Sequence, residues 1–343
     1  MNRRRWLQGS LAACAMLVII LDAKTAASAA QDGIELCIRT VIPSLFPFFI
    51  LSGLINSCLL GQKISILRPL GKLCKIPKGA ESLMLLGYIS GYPVGAQLTA
   101  QAYREGKLSK ETARRMLGFC NNAGPAFLFG MLSPLSDSIG VIWVLWGIHI
   151  LSGLLVGCVL PGNRKIHCNI KSKQHITIVQ SMQNAIRVIA SVCGWVIVFR
   201  IIINFCDRWF LWMLPQEVQV LFSGLLELSN GCIQLQRINN AGMQFIIAAV
   251  MLSFGGVCVG MQTLSVTEDL GTGWYFPGKV LQTVFSLILS GWAQLFLFSN
   301  ENRAEISLIN LFLLAAIAAW GIYLSVQKKV VAFRKKLLYN NIN

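Results

Sequence analysis

The sequence predicts an all-α polytopic membrane protein with about eight transmembrane helices and two re-entrant hairpins in an inverted repeat. The first observation is that hydrophobic residues make up 55% of the 343 residues and charged residues only 13%, whereas a soluble domain carries about 25% charged residues. The second is a mean hydropathy of +0.62, so lipid must cover most of the surface. The length also suits about eight to ten segments of ~20 apolar residues.

The net charge of +16 comes from lysines and arginines clustered between apolar runs. This pattern is typical of cytoplasmic membrane loops, and it argues against nucleic acid because the basic residues are not interleaved with aromatic ones. We therefore expect membrane lipid and a small solute as partners, and no nucleic acid. The cysteines include no Cys-x-x-Cys pair and the histidines lack the spacing of metal ligands. We predict no metal site and no disulfide.

Ten apolar segments run along the chain. They are approximately 7–21, 37–60, 80–99, 116–132, 139–160, 186–206, 209–235, 242–263, 278–298 and 304–326. Two of them, 80–99 and 209–235, contain polar and helix-breaking residues near the middle. If these two enter and leave the membrane on the same face, the basic loops fall on one side, as the positive-inside rule requires. The prediction is a multi-pass protein of a bacterial cell membrane with both termini in the cytoplasm.

The two halves of this topology repeat one unit, which is a helix followed by a hairpin and then by a broken helix. The first hairpin enters from the cytoplasm and the second from outside, so the units are inverted. Many secondary transporters build their binding site near the bilayer midplane in this way. We treat 1–343 as a single membrane domain with these parts: first helix 7–36, first repeat 37–160, second repeat 184–298, last helix 304–326 and basic tail 327–343.

The N-terminal segment allows two interpretations. Three arginines precede the apolar stretch, and Ala27-Ser28-Ala29 follows it, which is also the pattern of a signal peptide with a cleavage site. A retained first helix has similar flanks and is the favoured interpretation. In either case the next segment meets the membrane from outside, so the remaining topology is unchanged.

The first hairpin is interrupted at Ser90-Gly91-Tyr92-Pro93. Glycine and proline disfavour a continuous helix, and backbone groups freed in lipid cost several kcal/mol each unless the break lies inside protein or beside a wet cavity. We therefore expect these four residues in the interior. The amides that open the second half-helix would face a cavity, where they would favour an anion.

A pair of amide side chains, Asn121 and Asn122, follows in the next segment, just before Gly124-Pro125. Amides in an apolar run need partners, and they suit a polar solute or a dehydrated Na⁺ because they both donate and accept hydrogen bonds. Hydrogen bonding between helices of the bundle is the alternative explanation. Because Gly124 and Pro125 loosen the helix, we predict that Asn121, Asn122 and Gly124 line a binding site.

The second hairpin carries Glu227, the one carboxylate that this topology places deep in a segment. An acid inside the membrane is a candidate carrier of a proton or cation, or a substrate ligand. The alternative is a packing role in which Glu227 forms an ion pair with Arg200 or Arg187. The neighbouring polar residues predicted to line the same site are Ser229, Asn230 and Ser253.

Five motifs occur in order along the chain: Val41-Ile-Pro-Ser-Leu-Phe-Pro-Phe48, Ser90-Gly-Tyr-Pro-Val-Gly-Ala96, Phe119-Cys-Asn-Asn-Ala-Gly-Pro125, Leu226-Glu-Leu-Ser-Asn-Gly231 and Ser253-Phe-Gly-Gly256. Together they resemble the nucleoside-recognition (Gate) domain family, and within it the sporulation integral membrane proteins of the YlbJ type. The resemblance runs from about residue 7 to 326. It implies a location in the membrane around the forespore and the carriage of dipicolinic acid, a small dianion. It also implies that the site is lined by Ser90, Asn121, Asn122, Glu227 and Ser229.

We predict a sporulation-associated secondary transporter that moves a small polar or anionic solute by alternating access. Na⁺ or H⁺ would be the coupling ion, and we expect no cofactor. The alternative is a non-transporting membrane assembly factor required for sporulation. An enzyme is not expected, because the segments hold no acid–base pair, metal cluster or activated nucleophile. A homo-oligomer is compatible with this function.

Overall fold

The computed structural model describes residues 3–60, 62, 64–133, 138–162 and 176–298. Every regular element in these ranges is helical, and they contain no β-strand. The predicted last helix (304–326), the basic tail (327–343) and part of the basic loop 161–183 lie outside the described residues.

The helices are α1 (Arg3–Leu21), α2 (Ala23–Leu36), α3 (Ile42–Leu59), α4 (Arg68–Leu73), α5 (Glu81–Ser90), α6 (Val94–Arg104), α7 (Lys110–Met116), α8 (Pro125–Leu132), α9 (Ile139–Val159), α10 (Ile178–Trp209), α11 (Gln216–Leu226), α12 (Leu228–Gln234), α13 (Ala241–Phe254), α14 (Gly256–Val266) and α15 (Tyr275–Leu297). A π-helical turn joins α2 to α3 at Cys37–Val41. Short 3₁₀ turns occur at Ser65–Leu67, Leu211–Met213 and Leu235–Arg237.

Five helical stretches in the described ranges are long and apolar enough to cross a bilayer. They are Ala23–Leu59, Ile139–Val159, Ile178–Trp209, Ala241–Val266 and Tyr275–Leu297. The protein is therefore an all-helical polytopic membrane protein, as the composition predicted. The count of eight crossings and the inverted orientation of the halves stay predictions.

The segments 7–36 and 37–60 are not divided by a chain break. Helix α2 begins after Asp22, whose carboxylate accepts a hydrogen bond from the Thr25 amide at 3.4 Å, and continues through the π-helical turn into α3. The result is one apolar stretch of 37 residues. The π turn lies just before Pro43, which stands in the first turn of α3, where its missing N–H costs little.

Helix α10 begins eight residues before the apolar segment 186–206. A capping box explains the early start: the Thr177 hydroxyl accepts from the Gln180 amide at 3.2 Å, and the Gln180 side chain accepts from the Thr177 amide at 3.0 Å. These reciprocal hydrogen bonds satisfy amides that a helix start otherwise leaves without partners. The first turns of α10 therefore mix polar residues such as Gln180 and Ser181 with apolar ones, before its continuous apolar part.

The segment 116–132 differs most from its prediction as a crossing helix with a local break. Helix α7 ends at Met116, residues 117–124 are irregular, and α8 contains only eight residues. Gly118 and the Gly124-Pro125 pair oppose a continuous helix, and Pro125 instead starts α8 at its first position. About half of the expected crossing is therefore turns and irregular chain, and its backbone groups that lack helical partners must be satisfied inside the protein.

Two pairs of short helices fold back on themselves where the sequence predicted hairpins. Helices α5 and α6 are separated by residues 91–93, and α11 and α12 by Glu227 alone. A Cβ at Gly95 would lie 3.2 Å from the Cα of Gly87, and a Cβ at Gly231 would overlap Gly224. Each pair therefore approaches closely through glycines on both helices, which is the contact that two half-helices of a hairpin need.

The distribution of side chains is that of a membrane protein. Large apolar residues such as Val198, Ile202 and Phe296 are exposed on the long helices α10 and α15. Polar residues of several helices are buried instead, among them Glu227 and Lys279. Lipid is a solvent for the exposed apolar surface, whereas buried polar groups inside a membrane mark functional or packing sites.

Candidate functional site

Each hairpin tip lies against the break in the helix that follows it. At the first tip, a Cβ on Gly91 would come within 2.9 Å of the Gly124 amide nitrogen. At the second, a Cβ on Gly256 would lie 3.2 Å from the carbonyl oxygen of Gly224 and 3.3 Å from that of Leu226. The two halves of the chain therefore repeat the same contact between a hairpin tip and a broken helix.

The two halves also contact each other. The Tyr92 hydroxyl of the first tip donates a hydrogen bond to the carbonyl of Leu252 at 3.1 Å, at the end of α13. A Cβ on Gly255 would lie 2.9 Å from the same hydroxyl. In the other direction, α12 of the second tip packs against α8. The four chain breaks thus meet in one place.

A small pocket, called here the central pocket, lies where the breaks meet. Its cavity volume is about 30 Å³, enough for one or two water molecules. Both hairpin tips line it, together with apolar side chains of α3, α8 and α10. The predicted site residues in its wall are Ser90, Gly91, Tyr92, Gly124, Glu227 and Ser229. The predicted site residues outside its wall are Pro93, Asn121, Asn122, Asn230 and Ser253.

Glu227 forms the N-terminal cap of α12. Its carboxylate accepts hydrogen bonds from the Ser229 amide at 3.0 Å, the Asn230 amide at 2.7 Å and the Asn230 side chain at 2.7 Å. Its backbone is extended, with φ −142°, which is the usual conformation of a capping residue. This capping role was not predicted from the sequence. The amides that open this half-helix are occupied by the carboxylate.

The alternative role for Glu227, an ion pair with Arg200 or Arg187, is wrong for this structure. No ion pair of Glu227 occurs among the described residues. Arg200 instead pairs with Asp32 at 3.1 Å and donates to the Asn230 side-chain oxygen at 3.2 Å. Since the same Asn230 side chain donates to Glu227, the arginine and the carboxylate are connected through one amide.

Asn121 and Asn122 are buried and have protein partners. Asn121 accepts from the Ala96 amide at 3.2 Å, in the first turn of α6, and donates to the Thr263 hydroxyl at 2.9 Å. Asn122 donates to the Phe119 carbonyl at 2.7 Å and accepts from Lys279 at 3.0 Å. The first-turn amide of α6 that we expected to face a cavity is thus satisfied by Asn121, and the bonds between helices proposed as the alternative are present.

Lys279 was not predicted as a site residue, because it lies near the end of an apolar segment. It lies in α15 and is completely buried. Its ammonium donates to Asn122 and, at 2.9 Å, to the Gln282 side-chain oxygen. The rings of Tyr92 and Tyr275 lie 5.2 and 6.0 Å from its nitrogen, within the range of a cation–π contact. The signal available in the sequence was a lysine and a glutamine three residues apart in an apolar helix.

His149 belongs to the same buried polar cluster. Its Nε2 accepts from the Ala123 amide at 3.1 Å, and its carbonyl accepts from Gln282 at 3.2 Å. The imidazole therefore satisfies a backbone amide of the irregular stretch before α8. No three His, Cys, Asp or Glu side chains gather as metal ligands would in the part of the chain that the structure describes.

A second cavity, called here the charged chamber, has a volume of about 470 Å³. Helices α2, α10 and α12 surround it, with Asn230 in the wall. Its charged lining residues are Asp32, Glu35, Arg39, Arg200, Asp207 and Arg237. Because Asn230 also binds Glu227 in the wall of the central pocket, its side chain connects the walls of the two cavities.

Two further residues border on this region. Gln262 of α14 lines the central pocket and donates to the Cys258 sulfur at 3.4 Å. Ser253 is buried at the end of α13, and its hydroxyl has no hydrogen-bond partner among the described residues. The structure thus brings six predicted residues to one pocket and uses most of the others to hold the breaks in place.

These features define a polytopic helical membrane protein in which broken helices from both halves of the chain meet around a small pocket with one carboxylate, Glu227, in a mainly apolar wall. The chain is similar to the sporulation integral membrane protein YlbJ of Bacillus subtilis (strain 168), with 23% identity over 322 aligned residues, covering 79% of this chain and 78% of the relative. This similarity supports the sporulation branch of the resemblance. No family model matches the chain, and no solved structure matches it.

Proposed function

We propose that this protein moves a small polar or anionic solute across a membrane by alternating access. The proposal rests on one observation: both hairpin tips and the helix break at Gly124 line one small pocket, and the break at Gly255 lies against Tyr92 in its wall. Non-helical backbone at membrane depth is tolerated where protein buries it or where it lines a cavity. In secondary transporters such breaks form the solute site.

The unequal size of the two cavities supports a cycle with closed and open states. The central pocket has room for water only, whereas the charged chamber has a volume typical of a ligand cavity. Asn230 and the first turn of α12 separate them at the shared wall. Displacement of this turn would join the chamber to the pocket, and an equivalent movement at the first tip would open the opposite side.

The similarity to a sporulation integral membrane protein supports a role in sporulation. The solute that the family resemblance suggests is dipicolinic acid, and the corresponding location is the membrane around the forespore. Glu227 would couple transport to H⁺ or Na⁺, because it is a buried carboxylate in the pocket wall without an ion-pair partner among the described residues. The orientation of both termini toward the cytoplasm belongs to the same proposal.

Uptake into proteoliposomes tests the proposal directly. The probes are dipicolinate, uridine and inorganic phosphate, each offered with an inward H⁺ or Na⁺ gradient. We expect flux of at least one probe, a loss of about tenfold or more in Glu227→Gln and Asn121→Ala, and no change in Glu217→Gln, whose carboxylate is exposed on α11. Absence of flux for every probe, or equal flux in both site variants and wild type, would overturn the proposal.

Complementation of a sporulation defect separates the proposal from a non-transporting assembly factor. A transporter predicts that the site variants abolish complementation while substitutions on the surface of 101–115 are tolerated. Arg114→Ala and Glu111→Ala alter exposed residues of α7 and serve as the loop variants. The reverse pattern, with site variants active and loop variants inactive, would favour the assembly factor.

A further inference from the structure

Lys279 differs from the arginines that form ion pairs in the charge of its partners. The arginines 39, 68, 104, 200 and 208 each pair with a carboxylate. Lys279, which is completely buried, contacts only the neutral oxygens of Asn122 and Gln282 and two aromatic rings. No carboxylate of the described residues lies within ion-pair distance of its ammonium. A buried ammonium without an opposite charge is costly, so its retention requires a reason.

Arg115 provides an instructive contrast as the other deeply buried cation. It donates to the carbonyls of Cys74, Gly157 and Leu160, three backbone groups that join separate segments. These bonds explain Arg115 as a structural link at helix ends. Lys279 satisfies no backbone carbonyl through its ammonium, so the same explanation does not apply to it.

The Tyr92 side chain lies next to both the central pocket and the Lys279 ammonium. Tyr92 lines the pocket, and its ring lies 5.2 Å from the Lys279 nitrogen. The ring belongs to the first hairpin tip, the element whose displacement the transport cycle requires. A movement of Tyr92 would therefore expose the ammonium to a solute in the pocket.

Amides at the start of α6 and of α12 already have protein partners. Glu227 accepts hydrogen bonds from the Ser229 and Asn230 amides at the start of α12, and Asn121 accepts one from the Ala96 amide in α6. Glu227 is moreover the one charged residue in the pocket wall, and its negative charge opposes an anion. A negatively charged solute thus requires a positive group, and Lys279 is the cation that the surrounding structure places within reach.

We propose that Lys279 selects a solute bearing a carboxylate or a similar oxyanion. Tyr92 moves aside, and the ammonium exchanges its neutral partners Asn122 and Gln282 for an oxygen of the solute. This inference rests on the proposed transport function, and it adds the residue that recognises charge. It also explains why the lysine is held by side chains that can release it, since neutral amide bonds are weaker than bonds to a carboxylate.

Two probes of equal shape and different charge test the assignment. Pyridine-2,6-dicarboxylate and pyridine-2,6-dicarboxamide share the ring and the positions of their substituents, and only the first is an anion. Uptake and ligand-induced thermal stabilisation are measured for wild type, Lys279→Met and Lys279→Gln, with Lys279→Arg as the charge-preserving variant. Lys75→Met, which removes a partly buried lysine bonded to the Leu160 carbonyl, controls for the loss of one charge elsewhere.

We expect the neutral variants to raise the KM for the dicarboxylate at least tenfold and to leave the dicarboxamide unchanged. Lys279→Arg and Lys75→Met should keep the wild-type preference for the anion. Should Lys279→Met fail to fold, Lys279→Gln decides, because its amide can still bond Asn122.

The same preference for the dicarboxylate in wild type and in a folded neutral variant would overturn the assignment of Lys279 and leave the transport proposal intact. Stabilisation by the dicarboxylate that depends on Lys279, without any flux, would support the assignment and overturn transport. The absence of both binding and flux would overturn the Lys279 assignment and the transport proposal together.

Discussion

The two hairpin tips reach the central pocket by different physical means. At the first tip the chain turns at Gly91, with φ +77° and its backbone against Gly124. At the second it turns at Glu227, in an extended conformation that most residues adopt, and a carboxylate holds the next helix. Both tips pack closely through glycines, so the difference lies at the turn itself: a backbone conformation restricted to glycine at the first, and a carboxylate cap at the second. Because a carboxylate can exchange its hydrogen-bond partners, we expect the turn at Glu227 to be the more easily displaced.

The largest expected effect on stability is at Gly91, where the first hairpin tip turns. Gly91 has φ +77° and ψ −175°, a region that is essentially restricted to glycine. In Gly91→Ala the strain adds to a contact of 2.9 Å with Gly124, so we expect a loss of roughly 3 kcal/mol or more in the free energy of unfolding. Thermal unfolding of the purified protein in detergent measures the change.

Gly106→Ala is the matched control for this variant. Gly106 also has a positive φ, of +67°, but a Cβ there would meet open space. We expect a cost of about 1–2 kcal/mol, from the backbone alone. Equal destabilisation by the two variants would show that the contact between Gly91 and Gly124 adds nothing.

An intermediate effect on stability is expected at Glu227, where the second hairpin tip turns. Glu227→Ala removes the three hydrogen bonds that the carboxylate accepts, so α12 loses its cap at a cost of about 1–2 kcal/mol. Chemical denaturation measures the change, with Glu217→Ala as the control. Glu217 is exposed in the first turn of α11, and its replacement should stay within about 0.5 kcal/mol of wild type. A loss as large as that of Gly91→Ala would contradict the contrast between the tips.

The smallest effect on stability is expected for Arg200→Gln, a variant that should make the second tip more mobile. Arg200→Gln frees the Asn230 side chain, and we expect a stability change within about 1 kcal/mol because the lost pair is partly exposed. We also expect several-fold faster alkylation of Cys232, a completely buried thiol of α12. Mass spectrometry of the labelled peptides follows this native cysteine.

Arg208→Gln provides the comparison on the same helix. Arg208 pairs with Asp22 at 2.8 Å and with the Thr25 hydroxyl, so it too ties α10 to the start of α2, but it does not bond α12. Labelling of Cys232 should remain at the wild-type rate. Faster labelling in both variants would indicate a general loosening and not a link through Asn230.

The sequence predicted the positions of the breaks because glycine, proline and capping residues act locally. Gly91, Pro93, Gly124 and Glu227 all lie at helix ends in the structure. The partners of the buried polar residues were not predictable in the same way. Asn121 bonds residues 25 positions before it and 142 after it, and no spacing rule describes such contacts.

The role of Lys279 was also not predictable from its position in the sequence. Its importance depends on Asn122 and Tyr92, which are brought beside it by the packing of α15 on elements far away in the chain. A count of basic residues per loop sets Lys279 aside, because it lies at a segment end, and says nothing of its chemical role. Burial of an ammonium in a membrane is expensive, so a lysine within an apolar segment is itself a candidate site residue.

The volume of the central pocket has a consequence for measuring affinity. A space of about 30 Å³ cannot hold a ring with two carboxylates, so a solute binds only to molecules whose tips have already separated. If one molecule in a hundred is open, the apparent dissociation constant is about a hundredfold larger than the intrinsic one. A substitution that loosens a tip would therefore tighten apparent binding even though it touches no atom of the ligand.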